Sequence, residues 1–156
     1  MKFEEADALN EAIRAIGIRH RALAIAALSP LGIHPGHKLL LLELDRKGPS
    51  TQAQLAAASG YEPPTITVSI RHLENAGLVA RRPSPSDARA TIVELTPEGR
   101  ALMPKVKAAW SRVAEQTAAS VNTPLRQLIA VLEELASGLA ANEPPVPDRP
   151  RYVRRA

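Results

Sequence analysis

The sequence predicts a mainly α-helical fold carrying one small β-hairpin. Three observations lead there. Aromatic residues make up only 3% of a chain that is 45% hydrophobic, so Leu, Ala, Ile and Val must fill the core, which favours packed helices. Apolar residues recur at helical spacing along most of the 156 residues, with Pro and Gly marking the breaks. One stretch, residues 78–95, reads instead as two alternating strands about a turn-rich tip, "PSPSDAR".

The elements follow in order. Residues 4–28 form a helix, with Leu9, Ile13, Ile16 and Leu23 along one stripe, and "SPLG" breaks it. In "HPGHKLLLLELDRKG", Pro35 suits a first helical turn, the leucines are buried and Gly48 ends the helix. Thr51 and Gln54 stand at capping-box spacing before a short helix that closes near Gly60. Pro63 and Pro64 open the next helix, and Gly77 stops it. Two helices and a tight turn within about 26 positions have the spacing of a helix-turn-helix. The strands, residues 78–82 and 90–95, follow at once, so the unit is a winged helix-turn-helix. "LTPEG" starts a long helix to about Ser120, with Thr96 as cap and Pro97 in the first turn. Thr123 and Pro124 repeat that device before a last helix ending near Ala141. Prolines and arginines fill residues 142–156, read as a disordered basic tail.

On a helical wheel, Ile66, Ile70 and Leu73 make the core face of the second helix of the pair. Pro64, Thr65, Val68, Arg71, His72 and Asn75 lie opposite, flanked by Thr67 and Ser69. Hydroxyls, a guanidinium, an imidazole and an amide, with no acid at the centre, are groups that read base edges and phosphates in a major groove. Val68 can meet a thymine methyl, and Arg71 a guanine edge or a phosphate. Thr51 and Gln52, at the start of the preceding helix, complete the DNA-facing set. A basic hairpin directly after such a helix makes a solvated basic face a poor explanation. Arg81 and Arg82 lie in its first strand, and Arg89 at its tip would enter a narrow minor groove, where negative potential is concentrated. Pro83 and Pro85 stiffen the tip, and Asp87 orients it through an ion pair or through backbone groups of the turn.

Composition excludes several classes. Without cysteine there is no disulfide, thiolate metal site or thiol sensor. No apolar run approaches the ~20 residues of a membrane span, and the acidic, amphipathic N-terminus does not resemble a signal peptide, so the expected location is the cytoplasm. No nucleophile motif, phosphate loop or acid–histidine set stands out: neither an enzyme nor a cofactor is expected. The net charge of +4 suits a polyanionic partner.

The segments "TQAQLA", "PPTITVSIRHLENAGLVARR" and "DARATIVELTPEGR" resemble the MarR (multiple-antibiotic-resistance regulator) family of bacterial winged-helix transcription factors, continuously over residues 31–102. Asp87 and Arg89 match the family's wing pair, and Thr67 a common phosphate-binding hydroxyl; Val68 departs from a position where many members carry arginine. The resemblance implies an obligate homodimer on a short palindromic operator, most often a repressor, released in many members by a small aromatic or phenolic acid. It divides the chain into an N-terminal dimerisation helix (1–30), the winged helix (31–96), C-terminal dimerisation helices (97–141) and the tail (142–156). The family's effector pocket lies between the dimer helices and the winged helix, which makes Arg19, His20, His37 and Trp110 candidate contacts, although Trp110 reads first as a core or interface residue. Some members sense zinc. His34 and His37 stand i, i+3, but no Cys, Asp or Glu completes a set, so a cap or polar-boundary role is expected in place of a metal. Two rival readings are a metal-responsive regulator and a winged helix used for protein contacts.

Overall fold

The computed structural model describes residues 1–87 and 89–142; the expected basic tail lies, from residue 143 on, outside them. The elements are α1 (Phe3–Leu28), a short 3-10 turn (Ser29–Leu31), α2 (Pro35–Lys47), β1 (Ser50–Thr51), α3 (Gln52–Ser59), α4 (Pro63–Asn75), β2 (Val79–Pro83), β3 (Thr91–Leu95), α5 (Pro97–Ala119) and α6 (Leu125–Ala141). The described residues divide into two compact units, Met1–Thr117 and a second that begins at Ala118.

In the first unit Leu40, Leu41 and Leu44 of α2, Leu55 of α3 and Ile66, Ile70 and Leu73 of α4 share one core with Val79, Val93 and Leu95 of the hairpin and Met103 and Val106 of α5. The hairpin is antiparallel, Val79 opposite Leu95 and Pro83 opposite Thr91. A third strand joins it: Ser50 pairs with Val93 and Thr51 with Ile92, giving the order β1-β3-β2. Two residues are too few to leave an alternation pattern in the sequence.

The "LTPEG" segment joins recognition helix, wing and α5. The Thr96 hydroxyl donates to the Gly77 carbonyl at 2.6 Å and accepts from the Gly99 N–H at 3.0 Å. It thus caps α5 and ties the cap to the turn after α4. Gly77 makes that turn at φ +72°, where a side chain is strained. Gly99 is buried against the Leu78 backbone, and a Cβ there would lie 2.1 Å from the Leu78 carbonyl oxygen.

The second unit corrects one expectation. Thr123 does not cap α6. The helix begins at Leu125, and Pro124 (φ −55°, ψ 136°) stands in the extended position before it with no side-chain cap bond. Pro124 therefore lies outside the helix and not in its first turn. Within α6, Leu125, Ile129, Leu132, Leu135 and Leu139 are exposed.

Candidate nucleic-acid interface

α3 begins with the expected capping box. The Thr51 hydroxyl accepts from the Gln54 N–H at 3.2 Å, and the Gln54 side chain accepts from the Thr51 N–H at 2.8 Å. The Thr51 hydroxyl proton remains available to a phosphate. Gln52, first residue of α3, is half-buried.

On α4, Pro64, Thr65, Val68, Arg71, His72 and Asn75 are all exposed. Val68 is 51% exposed, a large apolar group in the middle of a polar face. Thr67 is half-buried, and its hydroxyl donates to the Pro63 carbonyl at 3.1 Å, so it must rotate before it can donate to a phosphate. Ser69 is a correction: it is buried at 9% exposure. It stands i+3 from Ile66 and one position before Ile70, and the buried arc of α4 is wide enough to include it.

The hairpin's arginines fall into two kinds. Arg81 reaches back to Glu74 of α4, Nη2 to Oε2 at 2.5 Å, and Arg82 pairs across the sheet with Glu94 at 3.5 Å. Among the described residues, Arg71 on the helix and Arg89 at the tip have no carboxylate partner. The two paired arginines fix the wing to α4 and to itself; the two unpaired ones are exposed cations facing outward. Of the alternatives for Asp87, the backbone one is found: its carboxylate accepts from the Arg89 N–H at 2.9 Å, its carbonyl accepts from the Ala90 N–H at 3.0 Å, and no ion pair of Asp87 occurs among the described residues. That Asx-type turn sets the backbone from which Arg89 projects.

Behind this face the four candidate effector contacts separate. His20 stands edge-on to Trp110, ring centres 5.7 Å apart, and both are half-buried. His37 lies instead between His34 and His72, 5.7 Å from each ring. Arg19 is exposed on α1. The Trp110 site contains a residue that sequence reasoning missed. Lys38 is only 5% exposed, and its Nζ sits 3.2 Å from the centre of the Trp110 ring. Burial lowers its pKa from the usual lysine value to about 8. Its signal was its place three residues before the buried Leu41, on the inward face of α2.

His34 acts as the cap of α2, its Nδ1 accepting from the Gly36 N–H at 3.2 Å. Among the described residues no group of three or more His, Cys, Asp or Glu side chains is arranged to hold a metal ion. Nor, among them, is any helix long and apolar enough to cross a membrane.

A family model described as the MarR family matches residues 31–90. A transcriptional repressor of the helix-turn-helix type from Mycobacterium tuberculosis is 32% identical over 123 residues, covering 78% of this chain and 88% of the relative. Among solved structures, the transcriptional repressor CouR bound to a 23-mer DNA duplex is 25% identical with a TM-score of 0.77, covering 90% of this chain and 98% of that one. The BpsR regulator of Bordetella bronchiseptica, whose DNA binding is regulated by 6-hydroxynicotinic acid, shares the fold at 23% identity and a TM-score of 0.72, over 83% of this chain and 98% of that one.

Proposed function

The chain belongs to the MarR family of DNA-binding transcriptional regulators, and from that premise we propose that it is a homodimeric repressor which binds a palindromic operator and is released by a small aromatic acid. The observation that carries the reading is the division among the basic groups of the winged helix. Among the described residues Arg71 and Arg89 stand exposed without an acid, while Arg81 and Arg82 are held by Glu74 and Glu94. Such a surface offers cations at two separated points, one on a helix face sized for the major groove and one on a hairpin tip sized for the minor groove.

The contact set is Thr51, Gln52, Pro64, Thr65, Thr67, Val68, Arg71, His72, Asn75, Arg81, Arg82, Asp87 and Arg89. In it Arg71 reads a guanine or a phosphate, Val68 a thymine methyl, Arg89 the minor groove, and Thr51 and Thr67 phosphates. Asp87 serves by shaping the tip. Dimerisation is supported by exposed apolar side chains on α1 (Leu9, Ile13, Ile16, Ile18) and on α6 (Leu125, Ile129, Leu132, Leu135), more than an isolated chain leaves to water. Two-fold symmetry then calls for two half-sites about one helical turn, or a multiple of it, apart.

For the effector, a buried ammonium with no carboxylate beside it among the described residues, lying over an indole, suits a carboxylate on an aromatic ring. BpsR's response to 6-hydroxynicotinic acid supports that chemistry. The proposed contacts are Lys38, His20 and Trp110. Footprinting on the gene's own upstream region tests the operator: a protected palindrome supports the reading, and uniform, sequence-independent protection overturns it. Because Trp110 is the single tryptophan, its fluorescence reports the effector site directly. A panel of hydroxybenzoic and hydroxynicotinic acids should quench it in the range of concentrations that frees the DNA.

A further inference from the structure

The first turn of α2 collects basic groups from three helices. Arg21 of α1 brings Nη2 to 3.5 Å from His34 Nε2. His34 and His37 lie 5.7 Å apart, ring centre to ring centre, and His72 of the recognition helix stands another 5.7 Å beyond His37. The Tyr61 hydroxyl and His34 Nδ1 lie 3.6 and 3.5 Å from where a Cβ on Gly36 would stand. Among the described residues no carboxylate acts on His37.

His34 holds α2 in a way that depends on its proton. Most N-caps use an oxygen, which accepts a hydrogen bond at any ordinary pH. Here the acceptor is an imidazole nitrogen, Nδ1, which takes the Gly36 N–H. Nδ1 must be unprotonated to do so, and in the neutral ring the proton then sits on Nε2. Nε2–H therefore already points an N–H toward the Arg21 guanidinium. A second proton must go to Nδ1, and it turns the cap from an acceptor into a donor facing another donor. It also places a full positive charge at the positive end of the helix dipole and beside Arg21. Three effects of the same sign meet at one protonation.

We propose that the His34–His37–His72 cluster is a proton-sensitive joint, in which mild acid releases the first turn of α2 from the recognition helix and so weakens operator binding. His34 is exposed to solvent at the head of that turn. The loosened turn carries His37, whose ring is the contact to His72 on α4. His37 opposes protonation: burial first, then the imidazoles of His34 and His72, hold its pKa below the ordinary value. The folded chain thus binds fewer protons there than the unfolded chain. The contribution of His37 to stability is full above the unfolded value of about 6.5 and is lost as pH falls through its lowered folded value. Acid therefore acts on the cap and on the contact behind it in the same direction.

The proposal rests on the chain's binding to DNA, and the two can be tested apart. His34→Asn keeps an N-cap side chain but removes its titration. Affinity for the operator is measured at constant ionic strength from about pH 7.5 to about pH 5.5, the range in which imidazoles take up protons. The natural protein should lose about fivefold or more in affinity, the order expected for a lost cap. His34→Asn should match it at the upper pH and then stay level or bind more tightly in acid. In the free protein, the Gly36 amide resonance should shift with pH over the same range and stop doing so in His34→Asn. This arm needs no operator. An affinity that holds or rises in acid in the natural protein overturns the proposal, as does an equal fall in His34→Asn or a Gly36 amide indifferent to pH.

Discussion

The outer face of the winged helix and the cluster behind it are both basic, yet they treat charge in opposite ways. Outside, each charge is either in water or beside an acid: Arg71 and Arg89 are exposed, and Arg81 and Arg82 meet Glu74 and Glu94. Inside, Lys38, His20, His34 and His37 gather around Trp110 and the start of α2, and no acid is found in the contacts among them. The outer groups cost little to keep charged while they wait for phosphate. Two of the inner ones are held away from their charged forms, Lys38 by burial and His37 by burial and its neighbours. A polyanion on the surface needs charge in place beforehand, whereas a site meant to respond to a small anion or a proton gains by being poised below full charge.

Both regions hang on one joint, so disturbing it has the largest effect. Gly99→Ala puts a methyl group 2.1 Å from the Leu78 carbonyl oxygen, which itself accepts the Thr96 N–H. Backbone on both sides must move. The substitution should cost about 3 kcal/mol or more and lower the melting temperature markedly. A melt within one or two degrees of the natural protein would mean that α5 can shift freely against the wing.

Next in size is Arg89→Ala, which strikes the outer face alone. The side chain is exposed and unpaired, so the melting temperature should not change. Operator affinity should fall by about 1–3 kcal/mol, with a shallower dependence on salt. Full affinity at physiological salt would remove the wing tip from the mechanism.

Lys38→Met strikes the inner cluster alone and should separate stability from response. An amine whose pKa falls from 10.5 to about 8 on folding is destabilising while it is charged. Its contribution to stability is full above the unfolded value and is lost as pH falls through about 8. A methionine of similar reach removes that cost and should stabilise the chain near neutral pH by roughly 1–2 kcal/mol. The advantage should shrink as pH rises toward the unfolded value. The same change should abolish quenching of Trp110 by aromatic acids and leave operator binding intact. Destabilisation by Met at neutral pH would show that Lys38 has a partner that offsets its burial.

The two regions were not equally legible in the sequence. The outer face follows from local rules. Prolines and glycines set the ends of α4, its 3.6-residue period sorts Ile66, Ile70 and Leu73 inward, and what remains is exposed. Ser69 was misplaced because a wheel fixes an angle and not the width of the buried arc; packing on α4 from several sides sets that width. The inner cluster depends on contacts between distant segments. Lysine on a helix ordinarily reaches water, whereas here α5 brings Trp110 over the Lys38 ammonium. The chain of His34, His37 and His72 likewise needs α4 to lie on α2, so i, i+3 spacing alone showed just its first link. β1 is too short to leave a pattern, and Thr-Pro precedes two helices here but caps only one.

The smallest effect tests the boundary between the regions. Glu74 sits on the recognition helix, yet its partner is Arg81 at the base of the wing. Both side chains are about one-third exposed, so solvent screens the pair, and its worth to folding is under about 1 kcal/mol. Glu74→Gln should therefore leave the melting temperature nearly unchanged. Its effect on DNA has two parts of opposite sign. Losing a negative charge beside phosphates raises affinity for any duplex, by about twofold to fivefold at low salt. Losing the tether lets Arg81 swing away from the position that fixes the wing against α4, which lowers the advantage of the operator over random sequence. Measuring both duplexes at two salt concentrations separates these parts: nonspecific affinity should rise and the operator-to-random ratio should fall. If the ratio stays constant while both affinities rise, Glu74 acts only as a charge, and the wing is held by the sheet and by Thr96 without help from the ion pair.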